Sequence, residues 1–330
     1  TGAAQKIAET IVDTIGEKRA IAALAVATMI ICAVGVFIDI AVITVAPIAL
    51  AIGERAGLSK SGILLAMIGG GKAGNIVSPN PNTIAVTEAF QLDLTAVMLK
   101  NLIPAICALI ATIVLASLLA KKAGDGISQN DLEAAPAEKL PNALQAFAGP
   151  LTVIVLLALR PLAKISVDPL IALPLGGLVC ILVTGNIRNL IPYTDFGLSK
   201  VIGVAILLIG TGTIAGIIKA SALQKDMTTL LSAMNMPAFI LAPLSGILMA
   251  AATASTTAGS TVASQTFSGT LLAAGVPALS AAAMIHAGAT VLDSLPHGSF
   301  FHATGGSVYM DIKNRMKLIP FEALIGLTST

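Results

Sequence analysis

Residues 20–53 read AIAALAVATMIICAVGVFIDIAVITVAPIALAIG. A single charged residue, Asp39, interrupts this apolar run. As one α-helix, Ala20 to Ile52 would extend for about 50 Å at 1.5 Å per residue, well beyond a bilayer core of roughly 30 Å. Steep tilt would absorb the excess, and so would a break near Gly35 to Asp39. The break is the better expectation, because a carboxylate in the middle of such a run needs a polar cavity. Pro47 offers a further kink.

Composition extends this reading to the whole chain. Of 330 residues, 56% are hydrophobic and 11% charged, against about 25% charged in a soluble domain. The expected class is an all-α integral membrane protein in the lipid bilayer. A net charge of +2 offers no basic field for nucleic acid. There is no Trp and only Tyr193 and Tyr309, so any interfacial aromatic belt is thin. Cys32, Cys107 and Cys180 each sit in an apolar run without CxxC spacing. They read as small buried hydrophobes.

Residues 1–19 suggest an amphipathic interfacial helix. Residues 62–78, GILLAMIGGGKAGNIVS, are short and glycine-rich, and SPNPNT follows at 78–83. Pro79 and Pro81 exclude regular helix there. A hairpin that turns within the membrane is expected, shielded by protein or water. A plain span covers about Val97 to Leu119. Residues 120–145 form a polar connecting loop, and apolar segments recur at 147–159, 167–184, 201–218 and 237–251. AATASTTAGSTVASQT at 251–266 is dense in small hydroxyl residues, which let helices approach closely and line a polar path. Lys121, Lys122, Arg160 and Lys164 suggest inside-facing loops. The opening Thr1 and the closing LIPFEALIGLTST suggest missing sequence at both ends.

The two ends of the chain resemble each other. Gln5-Lys6 matches Gln224-Lys225, RAGLS at 55–59 matches AAGVP at 273–277, and AMIGGG at 66–71 matches AMIHAG at 283–288. Pro79 then falls opposite Pro296, and Asn80 opposite His297. Broken apolar segments at matching places in two halves point to a secondary transporter's binding site. The expected architecture is a multi-span protein of two inverted-topology repeats with broken helices and re-entrant hairpins. Residues 1–119 form the first repeat, 120–145 the connecting loop and 146–330 the second repeat.

Asp39 is the sharpest functional candidate: a carboxylate deep in an apolar run marks an ion or proton path, though it would also cap a half-helix well. Asp293 and His286 are the other candidates for proton coupling; a buried neutral histidine is the plainer account of His286. For substrate binding, Asn75, Ser78, Asn80, Asn82 and Thr83 surround the first turn. Thr256, Thr257 and Ser260 offer hydroxyls in the other half, with Ser294 and His297 beside the second turn. Lys72 would either attract an anion or snorkel to water. No metal site is expected, since His286, His297 and His302 match no helical metal motif, and no cofactor is expected. GGGKAGN at 69–75 lacks the spacing of a phosphate-binding loop. An enzyme would cluster its acids and histidines at one depth, whereas this chain scatters them.

These residues resemble the gluconate permease (GntP) family of bacterial proton symporters. The resemblance rests on GAAQKIAETIVDTIGEKRAIAALAV at 2–26, GVFIDIAVITVAPI at 35–48, AMIGGGKAGNIVSPNPNTIA at 66–85, ATASTTAGSTVA at 252–263 and TVLDSLPHGSFF at 290–301. Asp39 stands where the family has Glu, and Pro79, Asn80 and Pro81 stand where it has Pro-His-Pro. The resemblance implies a multi-pass protein of the bacterial inner membrane that moves a small organic acid anion with a proton. Gluconate-like and 3-hydroxybutyrate-like acids are the candidate substrates. Sodium in place of the proton is the alternative, a membrane-embedded enzyme a more remote one, and a homo-oligomer is compatible with the sequence.

Overall fold

The computed structural model describes residues 2–121, 126–128, 131, 140–165, 167–222, 225–226, 229, 233 and 237–330. The fold is all-α. The first seven helices are α1 (Ala3–Ile15), α2 (Ala20–Ala33), α3 (Ile38–Arg55), α4 (Lys60–Asn75), α5 (Pro81–Phe90), α6 (Leu94–Lys100) and α7 (Leu102–Ala120). Next come α8 (Ala143–Ala163), α9 (Pro169–Val183) and α10 (Leu190–Ala220). The last six are α11 (Leu241–Thr253), α12 (Thr256–Ala273), α13 (Ala278–Gly288), α14 (Ser299–Gly306), α15 (Ile312–Met316) and α16 (Ile319–Thr328).

The long run at 20–53 breaks where the lone carboxylate required it. Gly35 takes φ +111° between α2 and α3, a conformation side chains with a Cβ rarely adopt. The expected span at Val97–Leu119 is also broken. Asn101 separates α6 from α7, is fully buried, and donates its amide to the Ile76 carbonyl at 3.1 Å. A polar side chain inside an apolar stretch here ties the helix to the neighbouring turn.

Helix α4 lies at the centre: every residue but Ser61 is buried. Its glycines make that position possible. A Cβ on Gly70 would run into the Ala25 carbonyl and one on Gly74 into the Met29 carbonyl, both on α2. Gly70→Ala must therefore push α2 and α4 apart, at a cost of about 1–3 kcal/mol. We expect a lower melting temperature for the detergent-solubilised variant. An unchanged melting temperature would mean that the two helices separate freely. The hydroxyl-rich segment uses the same device: from Thr256 it forms helix α12, and a Cβ on Gly259 would lie 2.6 Å from the Ala250 Cα of α11.

Two series of helices share one spacing. Helices α3, α4, α5 and α6 begin at Ile38, Lys60, Pro81 and Leu94; α12, α13, α14 and α15 begin at Thr256, Ala278, Ser299 and Ile312, each 218 residues later. Helices α7 to α11 lie between the two series along the chain. The Gln224 end of the sequence match and most of 120–145 lie outside the described residues. Asp131, in that connecting segment, pairs with Lys60 at 2.7 Å. The hydrogen bond from Lys60 holds the Asp131 carboxyl below its usual range, against the opposing effect of burial.

Polarity is distributed inside out. Leu102, Ile103, Ile106, Ile110, Val114 and Leu118 form an exposed apolar stripe along α7. Leu170, Ile171, Leu175, Leu178 and Leu182 do the same on α9, and Ile202, Ile206 and Ile209 on α10. Meanwhile Lys72, Asp293, Arg315 and Glu322 are buried. Water disfavours apolar faces of this extent; hydrocarbon favours them. Among the described residues, α7 is the one helix both long and apolar enough to cross a bilayer alone.

Candidate functional site

The turn between α4 and α5 organises the site. Asn80 caps α5, accepting from the N–H groups of Asn82 at 2.9 Å and Thr83 at 3.1 Å. Its amide donates to the Asn75 carbonyl at 2.8 Å and to Asn75 Oδ1 at 2.6 Å. The Thr83 hydroxyl donates to the Ser78 carbonyl at 2.6 Å. Asn80 and Thr83 thus hold the turn, with Ser78 buried inside it. The amide of Asn82 donates to Asn75 Oδ1 at 3.2 Å, which orients both side chains. Asn75 Nδ2 and Asn82 Oδ1 are then buried without a hydrogen-bond partner.

The second turn, between α13 and α14, carries Asp293, which is 2% exposed. Its Oδ1 accepts from Lys72 Nζ at 2.7 Å and from the Ser294 hydroxyl at 2.9 Å. Its Oδ2 accepts from the Thr256 hydroxyl at 2.7 Å. Lys72 also donates to the Thr290 carbonyl at 2.5 Å. Lys72 therefore neither snorkels nor stands free; it is buried and ion-paired. Sequence reasoning missed this pair, whose members are 221 residues apart.

A cavity of about 420 Å³ opens between the two turns. Seven lining residues come from each series of helices, among them Asp39, Asn75 and Asn82 from the first and Thr256, Thr257 and Asp293 from the second. Several stand in equivalent places 218 residues apart: Phe37 and Ser255, Ile38 and Thr256, Asp39 and Thr257, Asn75 and Asp293, Asn82 and Phe300. Asp39 is half-buried. It is not the cap of α3, because Phe37 holds that position; Asp39 sits in the first turn and accepts from the Ile40 N–H at 2.9 Å. A carboxylate there faces the positive end of the helix dipole. Ile43 lines this cavity and also a larger one of about 710 Å³ that runs along the rest of α3.

Four other expected site residues lie off the cavity wall. Ser260 is buried and donates to the Thr257 carbonyl at 3.3 Å, and Ser294 serves Asp293 from behind. His297 is exposed. His286 is fully buried, and neither ring nitrogen has a hydrogen-bond partner. No group of three or more His, Cys, Asp or Glu that could hold a metal occurs among the described residues.

Residues 1–318 match the model of the GntP family permeases. The chain belongs to the GntP permease family. A Haemophilus influenzae protein described as an uncharacterized transporter is 58% identical over 330 residues, covering 100% of this chain and 78% of that protein. No solved structure matches the chain. The family is one of transporters.

Proposed function

We propose that this GntP-family chain is a multi-pass inner-membrane symporter that moves a small hydroxy-carboxylic acid together with a proton. The observation that carries the proposal is the chemistry of the cavity wall. Asn75 Nδ2 offers donors and Asn82 Oδ1 an acceptor, both buried and unpartnered. Leaving such groups unmet costs about 1–3 kcal/mol each, so a ligand that supplies both partners gains that amount back. A carboxylate accepts and an alcohol donates. A hydroxy acid carries both, and the Thr256 and Thr257 hydroxyls add adaptable partners.

The shared spacing of the helices supports two copies of one unit, and we infer that they are inverted relative to each other. Helices broken at the turns then meet end to end across the bilayer, which reconciles several short helices with a multi-span protein. Asp39 and Asp293 supply the ionisable groups for coupling. An anion entering against an inside-negative potential is opposed by about 2.3 kcal/mol per charge per 100 mV; a proton carried with it removes that opposition.

Purified protein in liposomes should accumulate labelled 3-hydroxybutyrate or gluconate when the outside is acidic, and collapse of the pH gradient should stop accumulation. Neutral sugars should not compete. Uptake driven by a sodium gradient and indifferent to pH would replace the proton with sodium. No uptake of either acid under any gradient would remove the hydroxy-acid assignment.

A further inference from the structure

The cavity contains its own carboxylate, already seated on a cation. Lys72 is 2% exposed and spends its charge on Asp293 Oδ1. Asp293 lines the cavity, and Thr256, which lines it too, binds the other carboxylate oxygen. The pair is one-sided. Lys72 has Thr290 as its equivalent 218 residues on, and Asp293 has Asn75 as its equivalent 218 residues back. The cation is thus contributed by one half of the chain and the anion by the other, at the level where the two halves meet. Of the pair, Asp293 borders the cavity, and so does a residue with a buried amide donor left without a partner. Asn75 Nδ2 is that donor. Lys72 Nζ and Asn75 Nδ2 are two donors suited to a carboxylate; Asp293 occupies the first and leaves the second unmet.

We propose that the Lys72 ammonium is the counter-ion of the transported carboxylate, and that Asp293 stands in for the substrate while the cavity is empty. The inference rests on the organic-acid reading above and names the group that selects the anion. On loading, the substrate carboxylate takes the place of Asp293 Oδ1 at Lys72 Nζ and accepts from Asn75. Asp293 keeps the Thr256 and Ser294 hydroxyls. The other charged group at the cavity, Asp39, lies on α3. The buried pair of Arg315 and Glu322 is satisfied elsewhere.

The test is calorimetric binding of 3-hydroxybutyrate and gluconate to the purified full chain. Asp293→Asn keeps the acceptor for Thr256 but removes the competing anion, so either acid should bind at least tenfold more tightly. Lys72→Met should lose binding. Because that variant leaves Asp293 buried without its cation, Lys72→Met with Asp293→Asn supplies a neutral pair, which should fold and still fail to bind. A folded double variant that binds like the unmodified protein overturns the proposal and makes the pair a fastening. Unchanged affinity in Asp293→Asn overturns it as well. If the unmodified protein neither binds nor takes up either acid, the failure belongs to the transport reading instead.

Discussion

Asp39→Asn should leave a folded protein that binds and exchanges substrate yet cannot accumulate it on a pH gradient. Asparagine keeps the oxygen that accepts from the Ile40 N–H, so the first turn of α3 holds. What it loses is the ability to gain and release a proton. The electrostatics set the size of the effect. Two like charges about 6 Å apart repel by roughly 3 kcal/mol at an effective dielectric of 20, about a hundredfold in affinity. An ionised Asp39 imposes that penalty on a carboxylate in the cavity, and a proton on Asp39 lifts it. Asp39→Asn, which lacks that charge, should therefore bind 3-hydroxybutyrate more tightly than a protein with Asp39 ionised, by up to about a hundredfold. Counterflow exchange should survive and net accumulation should vanish. Asp39→Ala should also weaken the start of α3, by roughly 0.3–1 kcal/mol from the lost charge–dipole interaction. Accumulation by Asp39→Asn equal to that of the unmodified protein would transfer the coupling role to Asp293.

The second large effect is on stability. Arg315, on α15, and Glu322, in the first turn of α16, are each 1% exposed and joined by two hydrogen bonds. The guanidinium also donates from Nε to the Phe301 carbonyl at 3.3 Å and from Nη2 to the Thr304 hydroxyl at 3.3 Å. It lies 4.8 Å from the centre of the Phe301 ring. Arg315→Met leaves Glu322 charged and alone in the interior, at a cost of roughly 3–5 kcal/mol. Glu322→Met strands the arginine, with a similar penalty. Replacing both with methionine removes both desolvated charges and should recover most of the loss. Thermal melts in one detergent would show it: two low single variants and a double near the unmodified protein. Single variants that melt normally would mean that water reaches the pair.

These contacts mark where sequence stops being legible. The break before Asp39, the turn at Pro79–Pro81 and the hydroxyl lining at Thr256 and Thr257 follow from local rules: a charge in an apolar run, prolines that forbid helix, small residues between helices. The cavity gathers six of the residues singled out in this way. The Lys72–Asp293 bond does not follow, because nothing local distinguishes a lysine that snorkels from one whose partner lies 221 residues away. Arg315 and Glu322 resemble ordinary interfacial charges for the same reason. Asp311, Lys313 and Lys317 lie close by in the chain, so nothing local tells which charges are buried. His297 points the other way. Its position beside Pro296 suggested the site, but it is exposed while Asp293, four residues earlier, faces the cavity.

The mismatch of Lys72 with Thr290, and of Asn75 with Asp293, bears on how such a chain could have arisen. A protein made of two identical copies of the first unit would carry two copies of Lys72 and no carboxylate in the place of Asp293. Two copies of the second would carry two copies of Asp293 and no ammonium in the place of Lys72. Neither duplicate would pair these charges, and a buried charge without a partner is costly. The Lys72–Asp293 pair depends on the two series differing at these positions, so fusing two copies of either half should not rebuild it.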